Sequence, residues 1–184
     1  LSLRRQRQMC IRDSGGGWMR MDKSAHLSYL STLAHQGFVV CSVEYRTSNE
    51  GCYPMQIEDV KAAIRYLRAH ADRYRIDKEH FGAMGESAGG FLTCMAALDH
   101  DKAHDVGEYL EESSSIQAAC PWYPPTNLST FKYKDAEECA ASMESLLLVY
   151  NTMRNKTQKG ISHSVTSILS TKQSISHSFS RHFS

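Results

Sequence analysis

The chain has 184 residues, room for one domain and not comfortably for two. Apolar residues make up 41% and charged residues 22%, with the charges nearly cancelling to a formal +1, so the charge balance favours neither nucleic acid nor an anionic membrane as a partner. The strongest apolar runs, such as Phe38 to Val43, are far too short to span a bilayer.

Residues 1–14 have neither strand alternation nor an amphipathic period, and no apolar stretch of signal-peptide type follows their arginines. Met9 to Asp13 back-translate as ATG TGT ATA AGA GAC, a string that resembles a transposase-end adaptor of sequencing libraries. The segment is therefore read as a non-native leader and set aside from the fold, which is expected over residues 15–150. Gly15-Gly16-Gly17 is a loop. It is followed by Trp18, which argues against a plain linker and equally suits a core residue at the loop base.

From Ser24 to Gln36 the spacing of Leu27, Leu30, Leu33 and Ala34 predicts a helix stopped by Gly37. Phe38 to Val43 is a continuous apolar strand of the kind buried on both faces of a parallel sheet. Tyr53-Pro54 then breaks the chain before a second helix. Its apolar stripe is Ile57, Val60, Ile64 and Leu67, with Glu58, Lys61, Arg65 and Arg68 off the stripe. His80 to Met84 reads as a short strand, Phe91 to Leu98 as an apolar helix, and Ile116 to Cys120 as a strand ending at Pro121. This alternation predicts an α/β fold, a parallel sheet covered by helices.

The six cysteines are scattered without a Cys-x-x-Cys pair, so a finger-type zinc site is excluded and free thiols are expected, Cys41 and Cys120 as buried small hydrophobes. From residue 151 onward the composition changes. Residues 161–184 hold nine serines with no Gly or Pro, and read as a disordered or frame-shifted tail.

The chemistry centres on Gly85-Glu86-Ser87-Ala88-Gly89, a Gly-x-Ser-x-Gly pattern between an apolar strand and an apolar helix. Such a serine sits on a tight turn that pushes its hydroxyl out of the sheet edge and crowds the positions two before and two after it. The helix that follows points backbone N–H groups at a developing anion, and the N–H of Ala88 is placed to bind an oxyanion. The same five residues also fit an ordinary glycine-rich turn with Ser87 as helix cap. Consecutive glycines at 15–17 would let further N–H donors approach a substrate.

Taken together, several segments resemble bacterial α/β-hydrolase esterases of the hormone-sensitive-lipase-like and feruloyl or acetyl-xylan esterase group. They are Gly15-Gly16-Gly17-Trp18, Glu44-Tyr45-Arg46, Pro54-x-Gln56-x-x-Asp59-x-Lys61-Ala62-Ala63-x-Arg65-Tyr66-Leu67, Ile76-Asp77, Gly85-Glu86-Ser87-Ala88-Gly89-Gly90 and Trp122-Tyr123-Pro124-Pro125-Thr126-Asn127-Leu128. The resemblance implies an α/β-hydrolase fold, mostly parallel with helices on both faces. It implies an acyl-enzyme on Ser87, an oxyanion hole from Gly16, Gly17 and Ala88, a structural role for Asp59, no metal or organic cofactor, and a small-molecule or polysaccharide-linked ester as substrate. It also implies a histidine before the glycines, where this chain has Ser14, and a later Asp and His. Residues 151–184 contain no Asp, and His163, His177 and His182 lack the expected glycine context. Asp99, Asp101, Asp105 and Asp135 are expected to be surface groups outside a triad. On this reading the fold is incomplete at both ends, and the chain turns over 4-nitrophenyl acetate poorly or not at all. Three readings stay open beside it: a prolyl-oligopeptidase-like serine peptidase, a binding module, and an inert fragment. Cytoplasmic and secreted locations are equally open.

Overall fold

A computed structural model describes residues 7–13, 16–19, 27–99, 102–128 and 131–148. The expectation for the tail, residues 151–184, lies outside the described residues, as do Ser14 and Gly15. The elements run β1 (Arg7–Asp13), α1 (Leu27–His35), β2 (Val39–Val43), α2 (Met55–Ala69), α3 (Ala71–Tyr74), β3 (Ile76–Glu86), α4 (Ala88–Leu98), β4 (Ala118–Trp122), α5 (Ala136–Ala141) and α6 (Met143–Leu148). The four strands form one sheet in the order β2-β1-β3-β4, and every pairing is parallel. Parallel neighbours need crossovers, and α1, α2 and α4 supply them in sequence.

Within the segment set aside from the fold, residues 7–13 form β1. Its backbone pairs with β2 on one side, Ile11 opposite Cys41, and with β3 on the other, Ile11 opposite Ala83. A strand paired on both edges is fixed by its ladders of main-chain bonds. Its polar-flanked Met9-Cys10-Ile11 shows no alternation, so the signal sought in the sequence is missing.

The stripe expected on α2 is buried: Ile57, Val60 and Ile64 are fully inaccessible and Leu67 nearly so. The cations placed off the stripe are buried as well. Lys61 and Arg65 are inaccessible, and Arg68 is 5% exposed. They are satisfied by the segment after α4. Lys61 Nζ lies 2.7 Å from Asp99 Oδ2 and 3.3 Å from Asp105 Oδ1, and Arg65 Nη1 lies 2.8 Å from Asp105 Oδ1. Arg65 also donates to the carbonyls of Val106 and Glu108. Arg68 donates to those of Lys78, Ser113 and Ser115 while its guanidinium lies 4.1 Å from the centre of the Phe81 ring. Asp99 and Asp105 are thus buried ion-pair partners, not the surface groups expected, because a long irregular segment crosses α2 and needs its carbonyls satisfied.

The last strand also differs from expectation. It runs through Pro121, which pairs with Gly85, to Trp122. A proline is tolerated there because β4 is an edge strand among the described residues. The same edge position leaves Cys120 exposed instead of buried, while Cys41 is half-buried on the opposite edge strand. Cys41, Cys52, Cys94 and Cys120 are free thiols. No helix among the described residues is long and apolar enough to cross a membrane.

Candidate active site

At the carboxyl end of β3 the chain turns into α4 through one residue, Ser87. Its backbone lies at φ 51°, ψ −114°, a conformation that L-residues avoid. Such a residue costs on the order of 1–3 kcal/mol and persists only where its surroundings hold it. Two hydrogen bonds do so: Ser87 N–H donates to the Trp122 carbonyl at 2.9 Å, and Phe91 N–H donates to the Ser87 carbonyl at 2.9 Å.

The flanking glycines are required sterically. A Cβ on Gly85 would lie 2.5 Å from both the carbonyl carbon and the oxygen of Gly89. A Cβ on Gly90 would lie 2.8 Å from the Trp122 oxygen and 3.3 Å from Pro124 Cβ. The smallness expected on either side of the serine is therefore a contact of backbone on backbone, and Gly90 extends it to the 122–124 segment. Replacing Ser87 by glycine is expected to raise stability by about 1 kcal/mol relative to Ser87→Ala, since alanine keeps the strained Cβ and glycine does not. Urea denaturation of the two variants measures the difference, and equal stabilities would mean the turn is unstrained.

The glycine loop leaves the sheet beside this turn. Asp13, the last residue of β1, is in register with Gly85 on β3, so Gly16 and Gly17 follow one strand as Ser87 follows its neighbour. Trp18 is 2% exposed and meets Phe91 edge to face with ring centres 5.5 Å apart, which ties the loop to the first turns of α4. Of the two readings open for Trp18, the core residue at the loop base is the one observed. Met19 N–H closes a turn onto the Gly16 carbonyl, and Ser48 N–H donates to the Trp18 carbonyl at 2.7 Å. The loop carrying Ser48 is itself fixed by Asp59, whose carboxylate accepts from Arg46 N, Nε and Nη2 at 2.8–2.9 Å. That bracing is the physical content of the Glu44-Tyr45-Arg46 and Asp59 motifs. On the far side, Met143 of α6 packs its sulfur against Gly17.

Of the four residues expected at the site, Ser87 is partly exposed on the strained turn. Ala88 is buried as the first residue of α4, and Gly17 and Gly16 lie progressively nearer solvent on the neighbouring loop. No general base joins them among the described histidines. His35 and His70 bind carbonyls one turn back in their own helices. His80 binds Asp77 at the start of β3, about 23 Å along the strand from Ser87. His104 pairs with Asp99 at 2.7 Å and meets the Tyr53 hydroxyl at 3.4 Å. This Asp–His–Tyr chain has the look of a catalytic relay. However, Asp99 caps the far end of α4, about 18 Å along the helix from Ser87. Burial, with the Asp99 and Glu58 carboxylates nearby, pushes the Tyr53 hydroxyl up to about 12. Burial alone would raise Asp99, but hydrogen bonds from Lys61 and His104 and their charges hold it below the usual carboxylate range, as befits an ion-pair anchor. Among the described residues no cluster of three His, Cys, Asp or Glu could hold a metal ion.

With this geometry in view, the BD-FAE family pattern matches residues 4–176. The chain belongs to the BD-FAE family. The chain is also similar to individual esterase sequences. It is 34% identical over 111 residues to the probable carboxylic ester hydrolase LipM of Mycobacterium tuberculosis, covering 59% of this chain and 26% of that one. It is 38% identical over 111 residues to esterase LipC of the same organism, covering 59% and 28%. It is 34% identical over 85 residues to acetyl esterase of Salmonella typhi, covering 46% and 26%. The chain thus spans about a quarter of the length of these curated relatives.

Among solved structures, a bifunctional GH43-CE protein of Bacteroides eggerthii superposes with TM-score 0.68 at 28% identity, covering 78% of this chain and 22% of that one. A truncated carbohydrate esterase from gut microbiota gives 0.68 at 29%, covering 79% and 55%. Butyrate-bound esterase Est2 of Thermogutta terrifontis gives 0.61 at 28%, covering 71% and 47%. The fold of this BD-FAE chain is accordingly of the α/β-hydrolase type, with β3, Ser87 and α4 forming its strand–turn–helix elbow.

Proposed function

We propose that this BD-FAE chain carries the nucleophile half of a carboxylic ester hydrolase, with Ser87 attacking the ester carbonyl to form an acyl-enzyme. The observation that carries the reading is the backbone of Ser87, a strained non-glycine turn between β3 and α4. The oxyanion of the tetrahedral intermediate would sit on the N–H of Ala88, at the start of α4, and on N–H groups of Gly16 and Gly17. Support for ester chemistry over peptide hydrolysis comes from the relatives, which are named esterases or carboxylic ester hydrolases. The carbohydrate esterase among the solved structures supports an ester borne on a sugar or polysaccharide as one substrate class.

A consequence follows from the lack of a base beside Ser87 among the described residues. Ser87 must give its proton to water as it attacks, so acylation is slow, but 4-nitrophenolate departs without an acid, whereas acetyl-Ser87 is an unactivated alkyl ester whose hydrolysis needs a base to activate water. With 4-nitrophenyl acetate the chain is expected to release up to one equivalent of nitrophenol slowly, accumulate acetyl-Ser87 and turn over poorly. Peptide mapping by mass spectrometry locates the acetyl group. Acetylation confined to lysines, with Ser87 unmodified, would overturn the proposal.

A further inference from the structure

We infer that Tyr123 is a substrate-contact residue for the ring of an aryl ester at Ser87, held in place by Glu86. The inference rests on the ester-hydrolase reading above and adds a specificity element to it.

Three observations converge on this tyrosine. First, its position is tied to the nucleophile. Glu86 and Trp122 are in register across β3 and β4, and Ser87 N–H donates to the Trp122 carbonyl, so Tyr123 begins one residue from the atom that fixes the elbow. Gly90 makes this approach close, since any side chain there would meet both the Trp122 oxygen and Pro124. Second, its backbone is unusual. At φ 35° Tyr123 is one of the described non-glycine residues in the left-handed region, a costly choice for a bulky side chain. Third, it is 70% exposed, the most exposed of the large hydrophobic side chains described, yet it is not loose. Its hydroxyl donates to Glu86 Oε2 at 3.0 Å.

An aromatic side chain held by its polar tip, on a strand end whose backbone is bonded to the Ser87 turn at the carboxyl edge of a parallel sheet, suits ligand contact better than packing. Substrates of open parallel sheets bind outside that edge. A ring whose hydroxyl is engaged meets a ligand through its faces and edges, and aryl groups pair with it by offset or edge-to-face stacking. The Glu86 carboxylate acts through the tyrosine and makes Glu86 a positioning residue.

The test uses Ser87→Ala throughout, so that the ester survives and nucleophilicity plays no part. Binding of phenyl acetate and of ethyl acetate is titrated by NMR in this background and in combination with Tyr123→Leu, Tyr123→Phe and Glu86→Gln, with melting curves checking each fold. Tyr123→Leu is expected to weaken phenyl acetate about threefold to tenfold and to leave ethyl acetate unchanged, the range that one aromatic pair supplies. Tyr123→Phe and Glu86→Gln keep the ring, lose or weaken the tether, and should fall between. Equal phenyl acetate affinity in Tyr123→Leu, an equal loss for both esters, or no preference for phenyl acetate in the parent each overturns the inference. A failure of Ser87 as nucleophile leaves these binding results untouched and is read separately by acetyl mapping.

Discussion

Gly85→Ala is expected to lower stability by about 3 kcal/mol and to abolish acylation of Ser87. The reason lies in what the methyl would strike. At 2.5 Å from the carbonyl carbon and oxygen of Gly89 it meets backbone in the first turn of α4, which can withdraw only if β3 and α4 separate. Gly17→Ala makes the contrast. There the nearest atom is the Met143 sulfur, the mobile end of a long side chain, and the residual cost comes mainly from φ 60°. Its loss of stability should be about 1 kcal/mol, the ordinary cost of a Cβ in the left-handed region. Urea titrations of both variants beside the parent compare the two. Similar losses would mean that the elbow does not pack as tightly as described.

Asp105→Ala should cost about 3–5 kcal/mol, the usual result of removing one partner of a buried ion pair. Asp105 is shared by Lys61 and Arg65, whose side chains are 1% and 0% exposed, and its own is 5% exposed. Truncation leaves Arg65 with carbonyl partners and Lys61 with Asp99, so the surplus positive charge stays in a site without water access. The measurement is the urea midpoint, and a loss below about 1 kcal/mol would place the cluster in the class of solvent-screened pairs.

The parts of the site legible in the sequence are those built from local sterics. Gly85-Glu86-Ser87-Ala88-Gly89 announces the elbow because a one-residue reversal between strand and helix requires small neighbours whatever the rest of the chain does. Ile57, Val60, Ile64 and Leu67 announce one face of α2 because a helix repeats every 3.6 residues. What stayed hidden depends on distant chain. Lys61, Arg65 and Arg68 show only as positions off the apolar stripe until the 99–115 segment crosses them and supplies two carboxylates and, together with Lys78, six carbonyls. Cys120 looks buried until β4 takes the sheet edge. β1 carries no periodic signal, since its place is set by main-chain ladders to strands that come 26 and more residues later. Tyr123 stood in a recognisable motif, but its nearness to Ser87 arises from the pairing of β3 with β4, and no spacing along the chain encodes it.

The central claim is that the strained residue between β3 and α4 is the one nucleophile of the site. Incubation with an excess of a small alkyl fluorophosphonate, followed by intact-mass measurement and peptide mapping, tests it most directly. The prediction is a single adduct on Ser87 and no adduct on a folded Ser87→Ala variant. An adduct that persists in Ser87→Ala, or maps to a different serine, contradicts the account.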